Sequence, residues 1–349
     1  MKIFVNARFL TQPLSGVQRY GIECSRQIKK LHPEATFVAP GNILHTDIAK
    51  ELNVKIVGKN TGHLWEQVDL PFYLARHKSP PLLSLANTAP LLYSNNFVTI
   101  HDLAFYHHPE WNSKAFSAWY NILIPRLAIQ CRHIFTVSQT VKNEIINCYK
   151  IPANKITVAY NGISQRMLTL GSGSHGVKEK MILSVGTFNI RKNHQKLISA
   201  FLASPLKDEY KLVIIGDKNT VFKEAGINEH DLESGNIIIY LTLDEDELIG
   251  MYKKAEIVVS LSLYEGFGIP LLEGLYNGCK IICSDIPVYK EIYERAARFC
   301  DPEEITSIVS ALVSVSSEPR NDSTINHFPD KYSYSRSSEI ILSRIISGK

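Results

Sequence analysis

Short apolar runs alternate with amphipathic stretches along the whole chain. Six runs in the first half predict buried β-strands, at residues 2–6, 36–39, 54–57, 82–85, 97–100 and 133–137. Five runs in the second half do the same, at residues 181–185, 211–215, 236–240, 256–262 and 280–284. Helical stretches separate the strands, which is typical of βα units on parallel sheets. We therefore expect an α/β fold with two doubly wound parallel sheets.

A Gly/Ser-rich segment, GSGSHG at residues 171–176, separates the two sets of strands. Such a composition predicts a flexible linker, and 349 residues are more than one hydrophobic core usually organises. We predict an N-terminal Rossmann-like domain at 1–170, a linker at 171–178 and a C-terminal Rossmann-like domain at 179–330. Apolar periodicity near the end predicts a closing helix within 331–349. Two such domains imply a cleft, because ligands bind beyond the carboxyl ends of parallel strands.

The composition is that of an ordinary globular enzyme, with 45% hydrophobic and 21% charged residues. No apolar stretch approaches the roughly 18 residues of a membrane span, and the first residues are too few and too poorly flanked for a secretory signal. The 6 cysteines have no disulfide-framework spacing. We interpret them as core thiols, Cys279 and Cys283 included, and expect a cytoplasmic location.

The distribution of charge is uneven. Residues 1–170 contain 18 lysines and arginines against 9 acidic residues, a net charge of +9, and the remainder contains 20 against 25, which gives −5 and a total of +4. The basic half favours an anionic partner, either an anionic membrane face or a phosphate-bearing acceptor. No nucleic-acid-binding motif is present, so we expect no nucleic-acid partner. An accident of surface composition remains the alternative.

The segment LYEGFGIPLLEG, residues 263–274, places two carboxylates eight positions apart. Glu265 follows a strand, Pro270 suits the first position of a helix, and Gly278 is a suitable residue to end that helix. Glu273 then lies about one turn inside it. The free N–H groups at the start of the helix form an anion site.

Two carboxylates around an anion site make sense if they bind another part of the same ligand. An ionised carboxylate only accepts hydrogen bonds, and a sugar offers several hydroxyl donors. A nucleotide sugar contains both the hydroxyls and the diphosphate. The alternative is a solvated Glu265 and a Glu273 that merely favours an early helix position.

A second segment, VGTFNIRKNHQKL at residues 185–197, follows another strand. Asn193 is a suitable N-cap for the helix after it. Arg191 and Lys192 would then lie beside a helix N-terminus, where two cations bind a diphosphate and stabilise its charge as it leaves. A solvated surface pair is the alternative.

Two loops of the first half also carry candidate residues. Ser15 and Gln18 fit a capping box, and Gly16 between them lets backbone approach a ligand; no G-x-G-x-x-G fingerprint is present, which argues against a dehydrogenase. His101 and Asp102 directly follow a strand. His101 is a candidate donor to a sugar hydroxyl, with Asp102 orienting it, and a capped turn explains both residues about equally well.

The acidic triplet at residues 244–246 has the D-x-D form that carries a metal-bound diphosphate in other sugar transferases. It directly precedes a predicted helix, where acidic residues in the first turn are expected. We favour that interpretation and predict no metal site.

Together these pieces resemble the glycosyltransferase family 4 enzymes, which have the GT-B architecture. The matching segments are NARFLTQPLSGVQRY, HLWEQVDLP, TIHDLAFYHHPEW, TVSQTVKNEI, VAYNGI, VGTFNIRKN and LYEGFGIPLLEG. They extend from residue 1 to about residue 300. The resemblance implies two Rossmann-like domains facing across a cleft, an N-terminal one for the acceptor and a C-terminal one for the nucleotide sugar, with the terminal helix crossing back to the first domain.

The resemblance also implies roles for individual residues. Glu265 would hold sugar hydroxyls, Glu273 the nucleotide ribose, and the two cations the diphosphate. The implied catalytic residues are His101, Glu265, Arg191 and Lys192. The implied donor-binding residues are Gly16, Gly186, Arg191, Lys192, Glu265, Gly266, Phe267, Gly268, Ile269 and Glu273.

The activity implied by the resemblance is retaining, metal-independent transfer of a hexose, with no cofactor other than the nucleotide sugar. Our best hypothesis is mannose from GDP-mannose, moved onto a lipid-linked O-antigen or capsule-type acceptor at the inner face of the cell membrane. A nucleotide-sugar epimerase on the same fold and a non-catalytic carbohydrate- or lipid-binding module are the alternatives. The sequence leaves the donor base, the sugar, the acceptor and the oligomeric state open.

Overall fold

A computed structural model describes residues 1–171, 177–216, 235–319 and 332–348 of the chain. The residue contacts divide the chain into two compact units. The first contains residues 1–162 and 331–349, and the second contains residues 163–330. Each unit is built around its own parallel β-sheet.

In its described residues, the first unit has a seven-stranded sheet in the order β3-β2-β1-β4-β5-β6-β7. Every pair of neighbouring strands is parallel. The strands are β1 (Phe4–Asn6), β2 (Thr36–Ala39), β3 (Lys55–Ile56), β4 (Leu82–Ser84), β5 (Asn96–Ile100), β6 (His133–Thr136) and β7 (Ile156–Val158).

Seven helices of this unit precede residue 150 in the described chain, and an eighth closes it. They are α1 (Gly16–Leu31), α2 (Thr46–Leu52), α3 (Gly62–Leu64), α4 (Leu70–Ala75), α5 (Ala104–His107), α6 (Lys114–Gln130), α7 (Gln139–Tyr149) and the terminal α14 (Tyr334–Ser347). A π-helical segment, Trp65–Asp69, joins α3 to α4. Short π-helical segments occur often at functional sites.

The terminal helix α14 packs against α1 of the first unit. Ser338 is fully buried and its hydroxyl donates to the carbonyl of Cys24 at 3.3 Å. Ser337 donates to the carbonyl of Tyr160 at 2.6 Å. Helix α14, near the end of the chain, therefore packs into the core of the same unit as helix α1.

The second unit has a six-stranded sheet in its described part, again with parallel neighbours, in the order β10-β9-β8-β11-β12-β13. The strands are β8 (Glu179–Val185), β9 (Lys211–Ile215), β10 (Ile237–Tyr240), β11 (Ala255–Ser260), β12 (Lys280–Ser284) and β13 (Ala297–Cys300). The helices are α8 (Gln165–Gly171), α9 (His194–Ala203), α10 (Glu245–Lys254), α11 (Ile269–Tyr276), α12 (Pro287–Tyr293) and α13 (Ile305–Ser317).

The predicted strands are all present, and two further strands, β7 and β13, lie at the sheet edges. Both are short, and β13 has the mixed sequence ARFC, so neither gives an apolar run. The boundary between the units falls after residue 162 rather than near residue 170. Helix α8 belongs to the second unit, where Arg166 pairs with Asp246 of helix α10, Nε to Oδ1, at 2.7 Å. Most of the predicted linker lies outside the described residues.

Each sheet has one position at which the chain reverses the direction in which it adds strands. In the first sheet it lies between β1 and β4, and in the second between β8 and β11. In open α/β sheets, ligands bind outside the carboxyl ends of the strands at such switch points. These two positions are therefore the places to look for functional side chains.

Candidate functional site

Two loops meet at the switch point of the second sheet, one after β8 and one after β11. The N–H of Leu263 donates to the carbonyl of Arg191 at 2.9 Å, which holds the loops together. Arg191 Nη1 lies 3.3 Å from Glu265 Oε2. Lys192 Nζ lies 2.5 Å from Glu265 Oε1. The structure thus brings together three of the predicted residues from two segments that lie more than seventy positions apart in the sequence.

These three side chains are largely shielded from solvent, with exposed fractions of 21% for Arg191, 12% for Lys192 and 10% for Glu265. Burial alone would raise the pKa of Glu265, but the two cations outweigh it and lower the pKa to about 2. The carboxyl group is therefore ionised at neutral pH. One carboxylate faces two cations, and the excess positive charge suits an anionic ligand.

The loop after Glu265 turns directly into helix α11. Gly268 is the N-cap, with φ of +92°, and a Cβ there would lie 2.5 Å from Cε1 of Tyr289. The hydroxyl of Tyr293 donates to the Gly268 carbonyl at 2.7 Å and fixes the turn. Gly266 and Phe267 are buried, and Ile269 begins the helix, half-buried. Pro270 has no N–H, and the N–H of Leu271 donates to the Gly268 carbonyl at 3.1 Å. This helix start therefore attracts an anion through its dipole and not through a row of unpaired N–H groups.

Glu273 lies a little more than one turn inside α11, as expected. Only 3% of the residue is exposed. Pro270 occupies the first turn, and Gly278, with φ of +72°, follows the helix end. A glutamate present only because acidic residues favour helix starts would be exposed to solvent. The burial of Glu273 therefore disfavours that alternative.

Gly186 directly follows β8 and lies along the side chain of Lys192. A Cβ at Gly186 would lie 3.0 Å from Cε of Lys192. His194, which the sequence analysis did not single out, is buried below this loop. Burial and the neighbouring Lys192 lower the pKa of His194 to about 4, so its ring is neutral. The local sequence around His194 has no pattern that would have indicated a buried histidine.

Asn193 does not cap helix α9 through its side chain, contrary to our expectation. It adopts the left-handed conformation, with φ of +57°, and its amide donates to the carbonyl of Pro302 at 2.7 Å. Asn189 instead accepts from the N–H of Lys192 at 3.2 Å. The tertiary contact is stronger here than the local capping preference.

His101 and Gly16 belong to the first unit. His101 is 5% exposed, its Nε2 donates to the carbonyl of Leu85 at 2.8 Å, and burial lowers its pKa, so the ring is neutral. Asp102 accepts from the N–H of Ala104 at 3.1 Å, which is the capped-turn alternative. Gly16 is the exposed first residue of α1. The roles of His101 and Gly16 toward a ligand stay predictions.

The predicted capping box at the start of α1 is wrong. The Ser15 hydroxyl donates to the side-chain oxygen of Gln18, and the structure shows no side-chain cap to the helix backbone. The Gln18 amide donates to Gln12 at 2.7 Å, which draws the side chain away from the cap position.

A polar cluster at the switch point of the first sheet was missed by the sequence analysis. Glu66 Oε1 accepts from Asn6 Nδ2 at 2.8 Å and from Arg8 Nε at 3.1 Å. Arg8 Nη2 also donates to Thr88 at 2.6 Å. The cluster assembles from segments up to 80 positions apart, and the only signal for it was that Glu66 lies within a segment that resembles the family.

No group of three or more metal-ligating side chains occurs within the part of the chain that the structure describes. Asp244 and Glu247 form a capping box at the start of α10. The structure therefore confirms the helix-start interpretation of the acidic triplet.

Sequence profiles of two families together match most of the chain. The profile described as Glycosyltransferase Family 4 matches residues 14–165. The profile described as Glycosyl transferases group 1 matches residues 171–327. The chain belongs to the glycosyltransferase family 4 enzymes. The family and the two Rossmann-like domains of the GT-B fold are thus confirmed, and the chain is an enzyme.

Several relatives of this glycosyltransferase have curated names. The O-antigen chain mannosyltransferase RfbU of Salmonella typhimurium is 28% identical over 258 residues, which are 73% of this chain and 70% of the relative. The O-antigen chain mannosyltransferase B of Escherichia coli is 23% identical over 347 residues, 90% of each chain.

Solved structures share the fold of this glycosyltransferase. WaaG, a glycosyltransferase involved in lipopolysaccharide biosynthesis, has a TM-score of 0.72 with 12% identity and full coverage of both chains. The galactosyltransferase WaaB has a TM-score of 0.69 with 16% identity, again over the full length of both. In the described residues, no helix of this glycosyltransferase has the length and apolar character needed to cross a bilayer.

Proposed function

We propose that this glycosyltransferase is a retaining, metal-independent mannosyltransferase that moves mannose from GDP-mannose to a lipid-linked, O-antigen- or capsule-type acceptor. Two relatives support the sugar and the setting, because RfbU and mannosyltransferase B are both named O-antigen chain mannosyltransferases. The observation that carries the donor part of the proposal is the buried cluster of Arg191, Lys192 and Glu265 beside the N-terminus of α11.

The cluster suits the diphosphate of a nucleotide sugar. When the bond between the sugar carbon and the phosphate oxygen breaks, the electron pair stays on the phosphate and its negative charge increases. Arg191 and Lys192 are already fixed by Glu265, so they stabilise this charge without reorganising. The positive end of the α11 dipole adds to the same effect. These groups stabilise the charge on the diphosphate that a metal ion would otherwise stabilise, which is why we propose transfer without a metal.

The two carboxylates suit the hydroxyls of the same donor. Glu265 is ionised and accepts hydrogen bonds from the sugar, and Glu273 does so from the nucleotide ribose. The acceptor hydroxyl forms the new bond to the sugar carbon on the face that the phosphate leaves. Its proton passes to a phosphate oxygen of the leaving nucleotide, so the anomeric configuration is retained.

The acceptor part of the proposal concerns the first unit. Residues 1–170, which contain most of this unit, carry a net charge of +9, which favours the phosphates of a polyprenyl-linked saccharide and a peripheral contact with an anionic membrane. We therefore propose that the enzyme acts from the cytoplasmic side, at the inner face of the cell membrane.

A thermal-shift screen of GDP-mannose, other GDP-sugars and UDP-sugars tests the donor. Ligand binding to the folded state raises the melting temperature according to its concentration and affinity, and we expect the largest shift with GDP-mannose. Transfer is then measured with polyprenyl-linked saccharide, with and without a chelator. A shift with UDP-sugars only, or complete loss of activity with chelator, contradicts the corresponding part of the proposal.

Variants of Glu273 test the role of the second carboxylate. Loss of a charged hydrogen bond costs about 1.5–3 kcal/mol, which corresponds to roughly ten- to hundredfold in kcat/KM. Glu273→Gln keeps the side-chain volume and separates this loss from a packing defect, and exposed Glu294→Ala is the control. Unchanged kcat/KM in both Glu273→Ala and Glu273→Gln would exclude the role.

The same assays distinguish the alternatives. An epimerase consumes donor without an acceptor and releases an isomeric nucleotide sugar. A non-catalytic module binds the acceptor but shows no nucleotide affinity in calorimetry.

A further inference from the structure

The first sheet places a polar cluster at its own switch point, where β1 and β4 lie side by side. Asn6 ends β1 and Ser84 ends β4, and Asn6 Nδ2 lies 3.3 Å from the Ser84 hydroxyl. Glu66 joins the cluster from the π-helical segment Trp65–Asp69. Burying a carboxylate costs free energy because the charge loses its water. Packing alone therefore does not explain a glutamate at this position.

Glu66 is held rigidly and stays charged. It is 1% exposed, and its Oε1 accepts from Asn6 and Arg8. Burial would raise its pKa, but Arg8 and then His63 outweigh this and lower the pKa to about 2. An ionised group this well fixed is suited to orient a neighbouring side chain.

That neighbour is His63. Its Nδ1 faces Glu66 Oε2 at 3.4 Å. Both atoms are shielded from solvent, and neither makes a hydrogen bond in the described part of the chain. The ring as a whole is not shielded, because 35% of the side chain is exposed. Because Nδ1 faces the carboxylate, Nε2 is the ring nitrogen left to meet a ligand. Among the described residues, the structure shows no hydrogen bond at Nε2.

Exposed aromatic surface lies next to His63. The ring of Trp119 meets the His63 ring edge-on, with centroids 5.9 Å apart, and 37% of Trp119 is exposed. Both residues also adjoin the buried Tyr120, whose ring centroid is 6.0 Å from that of His63. Trp119 belongs to α6, whose other exposed apolar residues include Phe116.

An imidazole nitrogen beside an exposed indole matches the chemistry of a pyranose ring. The C–H face of the sugar packs against the aromatic ring, and a hydroxyl at its edge, which can both donate and accept, forms a hydrogen bond with the imidazole nitrogen. Binding sites generally combine such apolar surface with a few well-placed polar groups.

We propose that His63 and Trp119 form a saccharide subsite on the first unit, which binds a sugar residue of the glycan acceptor. Glu66 is a positioning residue that acts through His63. The proposal rests on the proposed glycosyl transfer for its biological role, but the subsite itself requires only that the first unit bind a saccharide.

Steady-state kinetics of the full chain test the role in transfer. We expect His63→Ala and Trp119→Ala each to raise the acceptor KM by roughly three- to tenfold, as for loss of one hydrogen bond or stacking contact, while the donor KM changes less than twofold. Leu64→Ala and Ile129→Ala are matched controls, because both are exposed apolar residues, one beside His63 and the other on α6. An acceptor KM unchanged in both variants would overturn the proposal.

A double-mutant cycle tests Glu66. If Glu66 acts through His63, Glu66→Gln raises the acceptor KM in the wild-type background but has no further effect on the KM in His63→Ala. A merely structural role would give additive effects in the cycle. Additivity therefore contradicts the positioning role.

A direct binding experiment separates this proposal from the proposed function. The chain has 3 tryptophans, and ¹⁹F NMR of protein labelled with 5-fluorotryptophan, assigned with Trp119→Phe, follows each of them. Mannose, galactose and N-acetylglucosamine are titrated without nucleotide. We expect one of these sugars to shift the Trp119 resonance but not that of buried Trp65, and to lose the shift in His63→Ala. This result does not depend on GDP-mannose being the donor. If none of the three sugars shifts the Trp119 resonance, the subsite is refuted.

Discussion

Lys192 Nζ and Glu265 Oε1 lie 2.5 Å apart, and both side chains are about nine-tenths buried. Their pairing joins the loop after β8 to the loop after β11. A buried charge loses much stability when its partner is removed, so the pair supports the fold and the proposed donor site together. The predictions below separate these two effects.

Lys192→Ala should lower kcat/KM for the donor by roughly ten- to hundredfold, since it removes a charged hydrogen bond to the diphosphate of about 1.5–3 kcal/mol. The measurement is initial rate against donor concentration. Lys180→Ala is the matched control, because Lys180 pairs with Glu209 in the same unit but is 60% exposed. An exposed pair contributes little, so that variant should keep its rate. Equal losses in both variants would argue against a specific role for Lys192.

The stability contributed by Glu265 should depend on pH. Its pKa in the folded protein is about 2, below the ordinary value of 4.5. The contribution is therefore fully present above pH 4.5 and is lost as the pH falls toward 2. We expect Glu265→Gln to lower the free energy of unfolding at about pH 7 by on the order of 3 kcal/mol, and by less than half as much at about pH 3, which is still above the folded-state pKa of about 2.

Urea unfolding of both proteins at the two pH values measures this difference. Buried neutral histidines such as His194 also make the fold acid-sensitive, but they are present in both proteins and cancel in the comparison. A difference that does not change with pH would show that the charge of Glu265 is not what stabilises the fold.

Gly268→Ala should destabilise the protein strongly. The residue has φ of +92°, and an added Cβ would lie 2.5 Å from the ring of Tyr289, which is fully buried and cannot move aside easily. The combined strain and clash should cost about 2 kcal/mol or more. Gly250→Ala, inside helix α10 with open space around it, should instead gain about 0.5–1 kcal/mol. Chemical denaturation measures the free energy of unfolding of both variants. Equal stabilities of the two variants would contradict the strain and clash assigned to position 268.

The fold and the cluster in the second unit could be predicted from the sequence because each rests on local patterns. An apolar run between helical stretches identifies a strand, and residues that directly follow parallel strands meet at one edge of the sheet. This reasoning brought Lys192 and Glu265 together without coordinates. The same reasoning missed β7 and β13, because edge strands need few apolar residues.

Features that depend on distant partners were not predictable. The Asn193 amide bonds the carbonyl of Pro302, more than one hundred positions away, and a capping rule considers only neighbouring residues. Glu66 is a buried ion chiefly through Arg8, which lies 58 positions earlier. Nothing in the local sequence distinguishes it from an exposed glutamate.

Gly186→Ala should impair donor binding without unfolding the protein. The added Cβ would lie 3.0 Å from Cε and 3.1 Å from Cδ of Lys192. A flexible side chain can move away from such a contact, but moving Lys192 weakens its buried pair with Glu265, so we expect the melting temperature to fall, though by less than in Lys192→Ala. The displaced ammonium group no longer reaches the diphosphate in the same geometry, and the donor KM should rise about threefold to tenfold.

In a Lys192→Ala background the same substitution should have no further effect on donor KM, because the side chain that it displaces is gone. If Gly186→Ala still raised the donor KM there, Gly186 would act through its own backbone contact with the ligand rather than through Lys192.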